Sequence, residues 1–244
     1  MPRIDDSSTR RTFVLAVGSA ALLAACRDKD KDKDKDHDSD KKDDDEDVGA
    51  VEDLMREHGA IRRVLVVYRE SAVRLRADPA TLPADALQRS AKLIRSFAED
   101  YHERQLEEAH IFPAVKSAAG AGAAAAEIAT LLAQHQRGRE ITDWIVAQTA
   151  KQIGAASAEP LARALEGFAR MYEEHAARED TIVFQAWKKA LSKKTIKEMG
   201  EKFEEIEKKT FGKDGFDDAV AQVTAIERQI GLDPAAFLPP VPRG

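Results

Sequence analysis

Six side chains on apolar helix faces define the chemistry this chain can support: His58, His102, Glu107, His135, His175 and Glu179. The clearest stretch is FARMYEEHAAREDTIVFQA, residues 168–186. Leu161, Leu165, Phe168, Tyr172, Ile182 and Ala186 recur every three or four residues, which predicts the inward stripe of an amphipathic helix. His175 and Glu179 lie on that stripe, because four residues is about 40° of rotation beyond a full turn. His58, His102 and His135 sit on the apolar stripes of three other helical segments. One histidine on an apolar face is ordinarily a core residue satisfied by a neighbour. Four of them on four helices, near one level, are harder to satisfy that way. Burying four imidazoles and two carboxylates without partners would cost roughly 10 kcal/mol, as much as a whole domain's stability. Two bound metal ions would satisfy all six groups, and imidazole with carboxylate suits iron, zinc or manganese.

The stretch has an earlier echo. Residues 107–114 read EEAHIFPA and residues 179–186 read EDTIVFQA. Glu107 matches Glu179, Glu108 matches Asp180, Ile111 matches Val183 and Phe112 matches Phe184. Each acid pair follows a histidine, but His102 and Glu107 are five residues apart whereas His175 and Glu179 are four apart. On a straight α-helix five residues leave the two side chains about 140° apart. A π-bulge absorbs one extra residue and is a feature of functional sites. The spacing therefore predicts an i→i+5 bond or local widening between His102 and Glu107. Leu106 should be turned away from the site, and the second helix should stay regular between His175 and Glu179. Asp180 is a substitute candidate for Glu179. A ferritin-like site needs two Glu-x-x-His motifs; only Glu107-x-x-His110 fits, so His110 is expected at the periphery.

The elements that must position these groups are long helices. The chain has 244 residues, 34% charged and 43% hydrophobic, and glycine and proline are sparse after residue 50. Helix A is expected over 48–77, with Leu54, His58, Ile61, Leu65, Tyr68, Ala72 and Leu75 on one face. Helix B is expected over 85–117, with Leu87, Ala91, Ile94, Ala98 and His102 inward and Pro113 kinking its last turns. Helix C is expected over 124–153, with Ile128, Leu131, His135, Gly138, Thr142 and Ile145 inward. Helix D is expected over 159–191. Four long helices with short loops predict an all-α fold, an antiparallel up-down four-helix bundle over residues 48–191. Residues 192–244 read as a C-terminal helical extension with a Pro-rich tail. Helices are expected over 195–209 and 216–230, Asp214 caps the second, and Phe203, Ile206 and Phe211 pack on the outside of the bundle.

Residues 1–26 read as a targeting segment. The run Ser8-Thr9-Arg10-Arg11-Thr12-Phe13-Val14-Leu15 resembles a twin-arginine export signal, and Leu23-Ala24-Ala25-Cys26 resembles a bacterial lipobox. The apolar run 13–25 is short of the roughly 20 residues that span a bilayer. Cys26, the single cysteine, is the expected lipidation site, so the chain is expected at the cell envelope or periplasm, lipid-anchored to a membrane. Residues 27–47 contain no apolar side chain and read as a solvated charged tether, His37 included. A net charge of −6 gives no nucleic-acid footprint.

One histidine on helix A, a histidine with a carboxylate on B, a histidine on C and His-x-x-x-Glu-Asp on D resemble the hemerythrin-like (HHE cation-binding) family over about residues 50–191. The resemblance implies a four-helix bundle with a non-haem di-iron centre. By that likeness His58, His102, His135 and His175 bind two iron ions, or another divalent metal, with Glu107 and Glu179 as bridges. The oxygen carriers of the family have a second histidine one turn along helix C, where this chain has Arg139. One iron would then keep a position open to water, oxygen, peroxide or nitric oxide. Binding or sensing oxygen, or reacting with peroxide or nitric oxide, is the implied function. An iron-handling module without turnover and a metal-free helical interaction protein are the competing readings.

Overall fold

The computed structural model describes residues 49–242. The export signal, Cys26, the charged stretch and His37 lie outside the described residues. All regular structure among the described residues is helical. Helix α1 is Ala50–Ala77. Helix α2 runs unbroken over 84–117: an α segment Ala84–Leu93, a π segment Ile94–Ile111 and a final α segment Phe112–Ser117. Helix α3 is Gly122–Thr149. Helix α4 runs over 155–190: α from Ala155–Arg178, π over Glu179–Val183, α again over Phe184–Ala190. Helices α5, Lys193–Phe211, and α6, Gly215–Gln229, follow. No helix among the described residues is long and apolar enough to cross a membrane.

Local chemistry sets the ends. Asp78 leaves the helical region and its carboxylate accepts from the Ala80 N–H, so α1 stops before Pro79. Gly120, at φ 80°, turns the chain between α2 and α3, a conformation cheap only for glycine. Gly154 stands at the N-cap of α4; α3 ends earlier than expected, at Thr149. Ser192 caps α5 through the Thr195 N–H, and Asp214 caps α6 through the Asp217 N–H. Pro113 sits where α2 returns from π to α geometry.

The predicted stripes of α1, α2 and α3 are all buried: Leu54 to Leu75 on α1, Leu87 to His102 on α2, Ile128 to Ile145 on α3. Helix α1 packs along α4, and α3 packs against both α2 and α4. Helices α5 and α6 cover the outside of α1 and α2. Phe203 of α5 stacks on Trp187 of α4 at 5.8 Å, and Phe211 meets the Tyr101 edge on α2 at 5.1 Å. Each large apolar side chain buried this way contributes about 1.5–3 kcal/mol.

The stripe of α4 departs from expectation at one place. Ile182 and Ala186 are only half-buried, and Val183, Phe184 and Trp187 are buried instead. The π turn Glu179–Val183 holds one extra residue, so every later position is displaced by one. The predicted widening of α2 is present, and it is far longer than a single bulge. Leu106 is buried outside the cavity that the imidazoles line. Helix α4 keeps its α bond from the Glu179 N–H to the His175 carbonyl, as expected.

Candidate metal centre

Helices α1 and α2 bring His58 and His102 together with their Nε2 atoms 3.0 Å apart. Helices α3 and α4 do the same for His135 and His175, again at 3.0 Å. The four rings are at most 3% exposed. Every Nδ1 faces an acceptor oxygen: Asp180 for His58 at 2.7 Å, Glu57 for His102, Glu108 for His135 at 2.8 Å and Gln134 for His175 at 3.0 Å. Those partners favour the tautomer with the proton on Nδ1. Each pair then points two Nε2 lone pairs at one another, an arrangement that calls for a cation between them.

Two carboxylates lie between the pairs. Glu107 Oε1 is 3.2 Å from His102 Nε2 and its Oε2 is 3.4 Å from His135 Nε2. Glu179 Oε2 is 3.0 Å from His175 Nε2 and 3.5 Å from His58 Nε2. Both are fully buried, and none of their four oxygens has a hydrogen-bond partner. Orphaned buried carboxylate oxygens are costly, and a metal ion is the group that satisfies several at once. Donor atoms of Glu107, His135, His175 and Glu179 fall within 4.8 Å of one another, as do those of His58, His102 and Glu107. Glu107 belongs to both sets. Glu103, Glu108 and His135 form a third such group. The space enclosed beside the rings is about 10 Å³, roughly one water-sized sphere. Two larger open grooves beside α5, about 250 and 310 Å³, contain no imidazole.

Without a cation the groups divide their protons unevenly. Burial opposes charge on His102, but Glu107 and Glu57 outweigh it and raise the imidazole well above its usual range. Burial also opposes charge on His135, and Glu103, Glu107 and Glu108 lift it to about 10. Burial and the neighbouring His135 push His175 down to about 4. Burial and Glu107 raise Glu179 well above the carboxylate range. Burial pushes Glu107 the same way, but His102 and His135 hold it well below.

The sequence echo is a structural one. The Phe112 N–H bonds to the Glu107 carbonyl and the Phe184 N–H to the Glu179 carbonyl, each an i→i+5 bond. In both motifs the first acid faces the centre and the second bonds an imidazole of a neighbouring helix, Glu108 to His135 and Asp180 to His58. The phenylalanine of each motif stacks on that same imidazole, Phe112 on His135 at 5.6 Å and Phe184 on His58 at 5.4 Å. Asp180 therefore stands behind His58 rather than substituting for Glu179. His110 lies apart from the centre, beside Phe203 at 5.9 Å.

Arg139 does not point at the centre. Its Nη2 bonds Glu103 at 2.9 Å and Glu108 at 2.5 Å. Glu103 also accepts from the Tyr172 hydroxyl. That contact needs Gly138: a Cβ there would lie 2.7 Å from the Tyr172 oxygen. The residues that periodicity missed are the acceptors behind the rings, Glu57, Glu103, Glu108 and Gln134. Three of the four adjoin a stripe residue in sequence, about 100° from it on an α-helix, and so read as solvent-facing. The one available signal was the second acid of each echoed pair.

Residues 49–187 match the model of the hemerythrin HHE cation binding domain. An uncharacterized protein of Mycobacterium tuberculosis and one of Mycobacterium bovis are each 43% identical over 195 residues, 79% of this chain and 74% of theirs. No solved structure matches the chain significantly.

Proposed function

The chain belongs to the hemerythrin HHE cation-binding family, and from that premise we propose that His58, His102, Glu107, His135, His175 and Glu179 hold two iron ions at the centre of an antiparallel up-down four-helix bundle. The observation that carries this reading is the pair of buried carboxylates with four orphaned oxygens, set between two imidazole pairs whose Nε2 atoms converge. Iron bound there would supply an open coordination position and electron-transfer chemistry for oxygen, peroxide or nitric oxide. The protein's own contribution is positional. Asp180, Glu57, Glu108 and Gln134 fix each ring's tautomer and aim. Glu107, with one oxygen toward each pair, would be shared by the two ions, and Glu179, which reaches His175 and His58, would be the second shared carboxylate. Arg139 stands where the family's oxygen carriers place another histidine. Its guanidinium bonds Glu103 and Glu108, and one ion would lack the imidazole that those carriers supply there.

Delivery to the cell envelope through a twin-arginine signal and lipidation of Cys26 completes the proposal. A Cys26→Ser chain should leave the membrane fraction; unchanged fractionation would remove Cys26 as the anchor. Iron handling without turnover is a second reading, favoured by the closed, water-sized space at the centre. The two separate in one experiment. The iron-loaded chain is reduced anaerobically, then exposed to oxygen, peroxide or nitric oxide while its absorption is followed. New bands with one of these support the first reading, and an unchanged spectrum with all three supports the second.

A further inference from the structure

Helices α1 and α3 carry one short pattern twice: Glu57-His58 with Arg62 four residues on from the histidine, and Gln134-His135 with Arg139 likewise. The structure uses the two copies alike. His58 and His135 each donate from Nδ1 to an acid on another helix, Asp180 and Glu108. The arginine four residues on grips that same acid, Arg62 on Asp180 and Arg139 on Glu108. The residue before each histidine receives the Nδ1–H of the pair's other ring: Glu57 from His102, Gln134 from His175. At that position the copies differ in charge, a carboxylate against a neutral amide.

The formal charges behind the two pairs are equal, two acids and one arginine each, so the difference lies in what touches the ring. Glu57 is 1% exposed. Its Oε1 accepts from the Tyr101 hydroxyl at 2.9 Å, and Oε2 faces His102. Glu57 forms no ion pair with an arginine or lysine among the described residues, whereas Asp180 pairs with Arg62 and Glu103 and Glu108 share Arg139. Glu103 is the one extra acid on the other side. It is 3.9 Å from His135 Nδ1 and is already bonded to Arg139 and Tyr172. A carboxylate thus bonds the His102 ring directly, whereas the His175 ring has only a neutral amide behind it. A carboxylate behind a ligating imidazole raises its basicity toward metal, and such partners are worth about 10–100-fold in affinity.

We infer that Glu57 makes the position bounded by His58, His102 and Glu107 the tighter of two metal positions, the first to fill. The position bounded by His135, His175 and Glu179, backed by the Gln134 amide, is the weaker. The inference rests on the two-ion reading above. It is tested by titrating the full chain, freed of metal by a chelator, with Co²⁺ under nitrogen, followed by calorimetry and visible absorption. Two steps about tenfold or more apart are expected. His102→Ala should remove the tight step and His175→Ala the weak one. Glu57→Gln should weaken the tight step by about 10–100-fold. Gln134→Glu, which keeps the α1–α2 side intact and remains decisive if Glu57→Gln folds poorly by circular dichroism, should tighten the weak step by about tenfold. Equal affinities in the parent chain, a tight step lost in His175→Ala, or no response to Gln134→Glu would overturn the order of filling. In each of those results the parent chain still binds two ions, so they are distinct from a parent chain that takes up no cobalt, which would overturn the two-ion reading as well.

Discussion

Helices α2 and α4 each present an acid pair to the centre, and they do so from unlike backbones. Helix α4 is regular through Arg178 and widens only over Glu179–Val183. Helix α2 is wide across Ile94–Ile111, on both sides of its acids. What the helices share is the i→i+5 bond from the phenylalanine N–H back to the first acid's carbonyl. Consecutive α-helical residues diverge by about 100°; the wide turn is common to both places where two consecutive acids serve one site. What only α2 has is widening before the acid. It accommodates the fifth residue between His102 and Glu107, since five residues is about one i→i+5 turn.

The largest expected effects come from removing the acids singly. Glu107 offers a different oxygen to each imidazole pair. Glu107→Gln should therefore drop bound metal below one ion per chain, and Glu179→Gln should leave one. Metal analysis of the purified variants checks this, and equal losses would erase the distinction between the two acids. In the metal-free chain the same order holds for stability. Glu107→Gln should lower the melting temperature, because it removes the charge that faces His102 and His135, whereas Glu179→Gln should change it little, because burial and Glu107 already keep Glu179 protonated.

Single-residue deletions probe the backbones. Arg104 is exposed within the wide part of α2, and removing it gives His102 and Glu107 the four-residue spacing of α4. Ala177 is exposed in the regular part of α4. Its removal rotates Glu179, Val183, Phe184 and Trp187 by about 100° away from their partners. The Arg104 deletion should stay folded by circular dichroism with a melting point lowered by several degrees, and the Ala177 deletion should not fold. A reversed order would show that the widening of α2 is not where its extra residue is stored.

The wide α2 also buries an acid for which α4 has no match. Burial raises Glu99 from 4.5 to about 7, against the Thr142 hydrogen bond. A folded pKa above the unfolded one means that the stability is fully present below pH 4.5 and is lost as pH rises to 7. That interval corresponds to about 3 kcal/mol at most. Glu99→Gln should thus stabilise the chain at pH 8 and leave it unchanged near pH 4, measured by denaturant unfolding at both. The smallest effects belong to the stacked rings. Phe112→Leu and Phe184→Leu should each cost about 1 kcal/mol, and clearly unequal costs would break the equivalence of the two motifs.

Most of this arrangement was legible in the chain, because a helical stripe fixes which residues face inward. Every expected position on α1, α2 and α3 is buried, the histidines included. The echo of Glu107-Glu108 in Glu179-Asp180, and the odd spacing on α2, pointed to the widened backbone. The length of that widening was not legible, since apolar spacing does not separate a long π stretch from a single bulge. Nor was the π turn of α4. Ile182 and Val183 are both apolar, so the pattern does not say which one faces the core. The acceptors behind the rings escaped for a different reason: Glu57 and Gln134 read as solvent-facing beside an inward histidine.

A two-ion centre shows itself in the metal content and melting temperature of the purified full chain, before and after exhaustive chelation. Two ions per chain are expected, iron foremost. The melting temperature should fall on chelation and recover when metal is returned, because an ion bound only by the folded state adds to its stability. A chain that holds no metal after purification, takes none up, and melts at the same temperature with and without chelator would contradict such a centre.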